Sequence, residues 1–303
     1  MQVIKTKKLT WIDIKNPSKK DLEWLRRNYN LHPLVLEQLL PDLDYPRVEN
    51  FGDYIFLVLF YPFFERTTFQ TIPFELDIIV SKKYIITAHP KDIVPLKAIF
   101  DKCNLYEEER DKYTKNGPGG LLYFIIEELL NAYFPKLKHI KQNIDKIERL
   151  IYEKEYQKAV REISLVRRDL IGFQRIVESQ RLAFKTLAED EQTFFEKKLR
   201  PYFNELWRLH NQIEHIVLTN QKTLDALSVT NESLLTNWTN KIIKTLTIFS
   251  VIVFPLTLLA AVFGMNTSYL PFVGRTDDFW IITGIMAAGT TLMLLIFKLK
   301  KWI

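Results

Sequence analysis

At 303 residues the chain is long enough for a sizeable core, and its 42 Lys and Arg against 36 Asp and Glu leave a formal charge of +6. Charges of both signs alternate along helical stretches, which argues against a nucleic-acid face. Cys103 is the one cysteine, so an intrachain disulfide is excluded and a reducing compartment fits.

Residues 1 to about 100 read as mixed α/β. Leu9–Ile14 alternates like a half-buried strand. Asn16-Pro17-Ser18 makes a turn, with Ser18 as N-cap and Asp21 at the capping-box position of a helix over Lys19–Tyr29. A short helix is expected over Pro33–Leu40, because proline is tolerated in a first helical turn. Tyr54–Tyr61, Phe74–Ser81 and Tyr84–Ala88 are β-branched and aromatic runs between turn residues, as in adjacent strands of one sheet. The order predicts a sheet flanked by helices. Ile93–Tyr113 reads as one polar helix, broken by Asn116-Gly117-Pro118-Gly119-Gly120. That cluster lacks the Gly-Lys-Ser/Thr ending of a phosphate loop and reads as a linker.

Leu121–Tyr152 and Tyr156–Ala188 carry apolar residues at three-and-four spacing and predict an antiparallel helical pair, the first kinked at Pro135. A third helix starts near Pro201 and meets no proline or glycine before Pro255. Read straight through, it is a stalk roughly 90 Å long. Its end, Thr245–Phe263, is uncharged and long enough to cross a ~30 Å hydrocarbon core. A second uncharged stretch, Phe279–Phe297, completes a helical hairpin. Lys241 and Lys244 precede the first span and Lys298, Lys300 and Lys301 follow the second, while the loop holds Arg275 against Asp277 and Asp278. The positive-inside rule then puts both termini in the cytoplasm, in agreement with an N-terminus that shows no apolar signal segment.

The first span carries a seam. Stepping back in sevens gives Ala261, Phe254, Thr247 and Asn240 in one register, and Gly264, Thr257, Ser250 and Ile243 in the other. Small and hydroxyl side chains concentrate there, while the other faces carry Ile, Leu, Val and Phe. Two readings fit: small residues that let helices pack closely, or a polar lining that faces water. His32, His89, His139, His210 and His215 are scattered without metal-ligand spacing. No nucleophilic or paired-carboxylate constellation supports an enzyme, and no cofactor is expected.

Phe254-Pro255-Leu256-Thr257, then Phe263-Gly264-Met265-Asn266, then a tail Lys300-Lys301-Trp302-Ile303, resembles the CorA family of magnesium channels. His32-Pro33-Leu34-Val35-Leu36-Glu37 and Tyr45-Pro46-Arg47-Val48-Glu49 are similar to its cytoplasmic domain, so the resemblance brackets nearly the full length. It implies an α+β membrane protein: a cytoplasmic α/β domain, a long stalk running into the first of two C-terminal spans, and a homopentameric funnel in the cell (inner) membrane. The transported ion would be magnesium, with cobalt or nickel as surrogates; the partners would be membrane lipid, divalent cations and further copies of the chain. Gly264, Met265 and Asn266 would form the outer mouth, with Asn266 the ring that orients a hydrated cation. Asn240 would be the inner polar ring, Thr257 a waystation, and Phe254 with Ile243 the hydrophobic gate.

The chain departs from that pattern in two places. Thr267-Ser268-Tyr269-Leu270-Pro271-Phe272 replaces an acid-containing Met-Pro-Glu stretch, which leaves Asp277 and Asp278 either to attract cations or merely to cap the second span. The resemblance also implies magnesium sensing by acidic residues between neighbouring subunits. Here Gln38 and Val229 fall at those positions, so interfacial sensing is expected to be weak, or rebuilt around Glu37 and Asp225, with Glu205 a further substitute. Expected divisions are residues 1–120 (sheet domain), 121–200 (helical pair), 201–263 (stalk and first span), 264–278 (extracytoplasmic loop) and 279–303 (second span and basic tail). The rival readings are a zinc transporter of the ZntB type, against which Met265 argues, and a membrane-anchored scaffold, which has no need of the seam.

Overall fold

Six strands build one mixed sheet. β1 (Gln2–Lys5), β2 (Thr10–Lys15), β3 (Arg47–Asn50), β4 (Tyr54–Glu65), β5 (Gln70–Ser81) and β6 (Tyr84–His89) lie in the order β1-β2-β6-β5-β4-β3. β2 and β6 run parallel, and the other neighbours run antiparallel. These come from a computed structural model that describes residues 1–40, 45–189, 194–265, 277–300 and 302. The chain divides into two units, Met1–Val229 and Thr230–Ile303.

The parallel β2–β6 pairing needs a crossover, and helices α1 (Lys19–Asn28) and α2 (Pro33–Gln38) begin it. The capping box is present: Ser18 Oγ accepts from the Asp21 amide, and Asp21 Oδ2 accepts from the Ser18 amide at 3.0 Å. Ile12, Ile14, Phe56, Val58, Ile79 and Ile86 bury one sheet face against Leu25, Val35, Leu36 and Leu39. Trp11, on the alternate face of β2, meets Phe100 of α3 (Val94–Leu105) edge-on at 4.8 Å.

The apolar runs of β4 and β5 stop short at Pro62 and Pro73, yet both strands continue, with the two prolines opposite each other. The Phe60 amide points away from β5, and so does position 62 two residues on, so the proline withholds no ladder bond. β3 pairs with β4 from Ile55 to Val58. Beyond that, side chains finish the edge. Gln180 Oε1 accepts from the Phe60 amide at 2.9 Å, Tyr133 Oη donates to the Phe60 carbonyl at 2.8 Å, and Lys136 Nζ donates to the Pro62 carbonyl.

Three helical expectations are corrected. The polar helix over 93–113 is two helices, α3 and α4 (Glu107–Thr114), parted at Tyr106 in extended backbone. The glycine cluster is no linker but the first turn of α5 (Gly117–Asn131), where Pro118 costs nothing because first-turn amides have no helical partner. A Cβ on Gly119 would stand 2.7 Å from Leu199 and 2.8 Å from Phe195, so glycine is there for close packing. Pro135 does not kink one long helix; the break falls at Ala132, and Pro135 lies in the first turn of α6 (Tyr133–Tyr152).

α6 folds back on α7 (Tyr156–Ala188) across Lys154, whose φ of 65° turns the chain, and Lys146 Nζ lies 3.2 Å from Glu162. After a short turn at Lys197–Leu199 comes α8 (Arg200–Phe263), 64 residues long, whose first part packs antiparallel on α7. Arg181 reaches Glu214 at 3.5 Å and Arg167 reaches Asp225 at 2.9 Å. Phe203, Leu206, Leu209, Ile213, Val217 and Leu224 are its buried stripe. α9 (Asp278–Leu299) closes the described chain.

Candidate functional site

Two helices are long and apolar enough to cross a membrane, the C-terminal part of α8 and the whole of α9. The seam lies on the first. Its period of seven keeps Asn240, Ile243, Thr247, Ser250, Phe254, Thr257, Ala261 and Gly264 on one side of a regular helix. In the single chain this side is open: Phe254 is 71% and Ile243 55% exposed, and Thr247 and Ser250 are half-buried.

The hydroxyls are oriented by their own helix. Thr247 Oγ1 donates to the Ile243 carbonyl at 2.8 Å, and Thr257 Oγ1 to the Val253 carbonyl at 2.9 Å. Each hydroxyl proton is thereby engaged, and the outward lone pairs remain acceptors. Pro255 adds a feature the sequence reading missed. Lacking an N–H, it leaves the Val251 carbonyl without its usual helical donor. A proline inside an otherwise uncharged run is the signal that would have found it.

At the end of α8 the Gly264 amide donates to the Ala260 carbonyl at 2.9 Å, and the Met265 amide to Val262 at 3.3 Å. Asn266 and the loop through Arg275 lie outside the described residues, as does Lys301. Asp277 is the N-cap residue of α9 without a side-chain capping bond, while Asp278 Oδ1 accepts from the Phe279 amide at 2.7 Å. Lys298 and Lys300 are exposed at the end of α9, while within α8 Lys241 is exposed and Lys244 half-buried.

The carboxylates considered for regulation stand apart within one chain. Glu37 is on α2, Glu205 pairs with Arg208, and Asp225 pairs with Arg167. The Arg208 guanidinium holds the Glu205 carboxyl below its usual range. Gln38 ends α2, and Val229 is exposed on α8. Among the described residues no group of three or more His, Cys, Asp or Glu is placed to hold a metal ion. His32 caps α2, His89 sits 3.3 Å from Asp13, and His139 and His215 are exposed. His210 is buried, with Nε2 2.9 Å from the Val177 carbonyl and its ring stacked on Phe184 at 4.6 Å. Burial pushes it down to about 4.

A seam of this chemistry on the first of two closely spaced spans goes with a match to the family model of the CorA-like Mg2+ transporter protein over residues 6–301. The chain belongs to the CorA family. Among its CorA relatives, the cobalt/magnesium transport protein CorA of Thermotoga maritima is 28% identical over 300 residues, covering 97% of this chain and 83% of that one. The solved CorA magnesium transporter of Methanocaldococcus jannaschii shares the fold with a TM-score of 0.82 at 22% identity, over 100% of this chain and 95% of the other. The ZntB cytoplasmic domain from Vibrio parahaemolyticus matches over 78% of this chain and 90% of its own, with a TM-score of 0.59 and 17% identity. The architecture expected from the sequence is therefore the CorA architecture: an N-terminal α/β unit, a long helix and two C-terminal apolar helices.

Proposed function

We propose that the chain is a homopentameric channel for divalent cations, magnesium foremost and cobalt or nickel as surrogates, in the cell membrane with both termini in the cytoplasm. The observation that carries this reading is the seam, uncharged and supplied with oxygens whose protons are already committed to the helix. Magnesium gives up its water reluctantly, and its bound waters turn their hydrogens outward. A ring of neutral acceptors suits that hydrated ion, because it can hold the water shell without stripping it. Membership of the CorA family supports the same assignment. Flux would be downhill and inward, since two charges gain ~4.6 kcal/mol per 100 mV of inside-negative potential.

In this reading Asn266, at the end of the Gly264-Met265-Asn266 run, orients the ion's water shell at the outer mouth. Asn240 repeats the function at the inner end, and Phe254 with Ile243 forms the gate. Uptake into proteoliposomes, with magnesium and zinc compared side by side, is the test. Asn266→Ala should abolish magnesium uptake while the oligomer stays assembled, because it removes a water-binding carboxamide and no packing group. Parental flux in an assembled Asn266→Ala protein would sink the pore assignment. Zinc flux without magnesium flux would favour the ZntB-type alternative, and no flux of either would favour the scaffold.

A further inference from the structure

A groove of about 820 Å³ opens between α7 and β5, entirely within the first unit. Phe60, Ile72 and Ile176 give it an apolar floor, and the Tyr45 ring, 82% exposed, shares the lining. Gly172 shows how closely the walls approach, since a Cβ there would stand 2.2 Å from the Thr71 carbonyl. The groove's size falls within the usual range of small-molecule sites.

Its charge is one-sided. Arg167, Arg168 and Arg175 line it, and among the described residues no carboxylate does. Asp169, beside them in sequence, is buried and engaged by Thr71 Oγ1 at 2.6 Å. Arg167 pairs with Asp225, but Arg168 reaches a single carbonyl, that of Thr68, at 3.4 Å. Arg175 makes no hydrogen bond or ion pair among the described residues. Two guanidiniums thus face an apolar groove with no anion among the described residues. They stand seven residues apart on α7, about 10 Å along the axis. That separation is too great for one carboxylate and suits a chain of phosphates gripped from both ends.

We propose that this groove binds a nucleoside polyphosphate, its phosphates on Arg168 and Arg175 and its base against the apolar floor and Tyr45. The apolar lining and the Tyr45 ring distinguish this ligand from inorganic polyphosphate, because a base has a ring face to bury and a bare phosphate chain has none.

The test is calorimetric titration of ATP, without magnesium, into the detergent-solubilised full-length protein. One saturable site per chain is expected, with inorganic triphosphate weaker by about tenfold and adenosine not bound. Arg168→Gln/Arg175→Gln should weaken ATP by about tenfold or more, while Arg161→Gln, on α7 outside the groove, should leave it unchanged. Tyr45→Ala should weaken ATP and leave triphosphate untouched, which separates loss of the base contact from any general damage to the protein. Absence of saturable ATP binding at millimolar concentration, parental affinity in the double arginine variant, or triphosphate binding as tightly as ATP would each overturn the proposal.

Discussion

The two parts of α8 share one helix and contrast in almost everything else. Up to Leu224 the helix buries an apolar stripe at three-and-four spacing, from Phe203 through Ile213 and Val217, joined by His210 and Asn220, and leaves its other face to solvent. From residue 232 onward no described residue is buried, although the composition is far more apolar. A stripe needs one neighbour, and α7 supplies it. A helix that is apolar all round needs a different solvent or many neighbours. Apolar content alone therefore does not mark a protein core; the pattern does.

The strongest way to break that contrast is Ile213→Asp. An unpaired carboxylate at a fully buried position should cost more than about 4 kcal/mol and unfold the first unit. Leu258→Ala, a 65% exposed position in the second part, should leave that unit's thermal unfolding unmoved. Circular dichroism on the two variants compares them directly, and equal destabilisation would erase the distinction.

Phe254→Ala probes the second part by function. Removing an aromatic ring from the seam should let the proposed gate stay wet, so cations should leak under conditions where the parent is shut. Unchanged conductance would place Phe254 against lipid or a neighbouring helix and shift the seam's phase.

A third measurement sharpens the first part. His210 is held neutral by burial, with a folded value of about 4 against an ordinary 6.5. Between those values the unfolded chain takes up a proton that the folded chain does not, so stability should fall as pH drops from 6.5 to 4, by up to about 3 kcal/mol. His210→Phe should flatten that stretch of the profile. The smallest effect belongs to the Arg167–Asp225 pair, which is half-exposed on both sides. Asp225→Asn should cost under about 1 kcal/mol, and high salt should shrink the difference further.

What the sequence made legible follows the same physics. α7 was read with its observed bounds, Tyr156–Ala188, because Ile163, Val166, Leu170 and Phe173 repeat at helical spacing over many turns. The seam was legible for a similar reason, period and composition agreeing. β3 was not, since Arg47-Val48-Glu49-Asn50 holds one apolar residue and owes its conformation to pairing with β4. Gly117–Gly120 misled because glycine in a helical first turn contradicts propensity, and the reason, close contact of Gly119 with Leu199 and Phe195, lies some eighty residues away. The arginine groove has no sequence signature either, its walls coming from segments nearly a hundred residues apart.

The side chains that complete the outer edge of β4 carry a consequence for how the protein is made. Phe60 and Gln180 are separated by 120 residues, so a ribosome delivers the strand long before its partner. Until α6 and α7 emerge, the nascent sheet presents an unfinished border on which another chain could template, and a holding chaperone has reason to bind there. Gln180 nonetheless precedes Thr245 in the order of synthesis, so the border can close before the first apolar span is offered to the insertion machinery. Slowing elongation between residues 180 and 245 should then raise the yield of inserted protein, whereas slowing it before residue 133 should lower it.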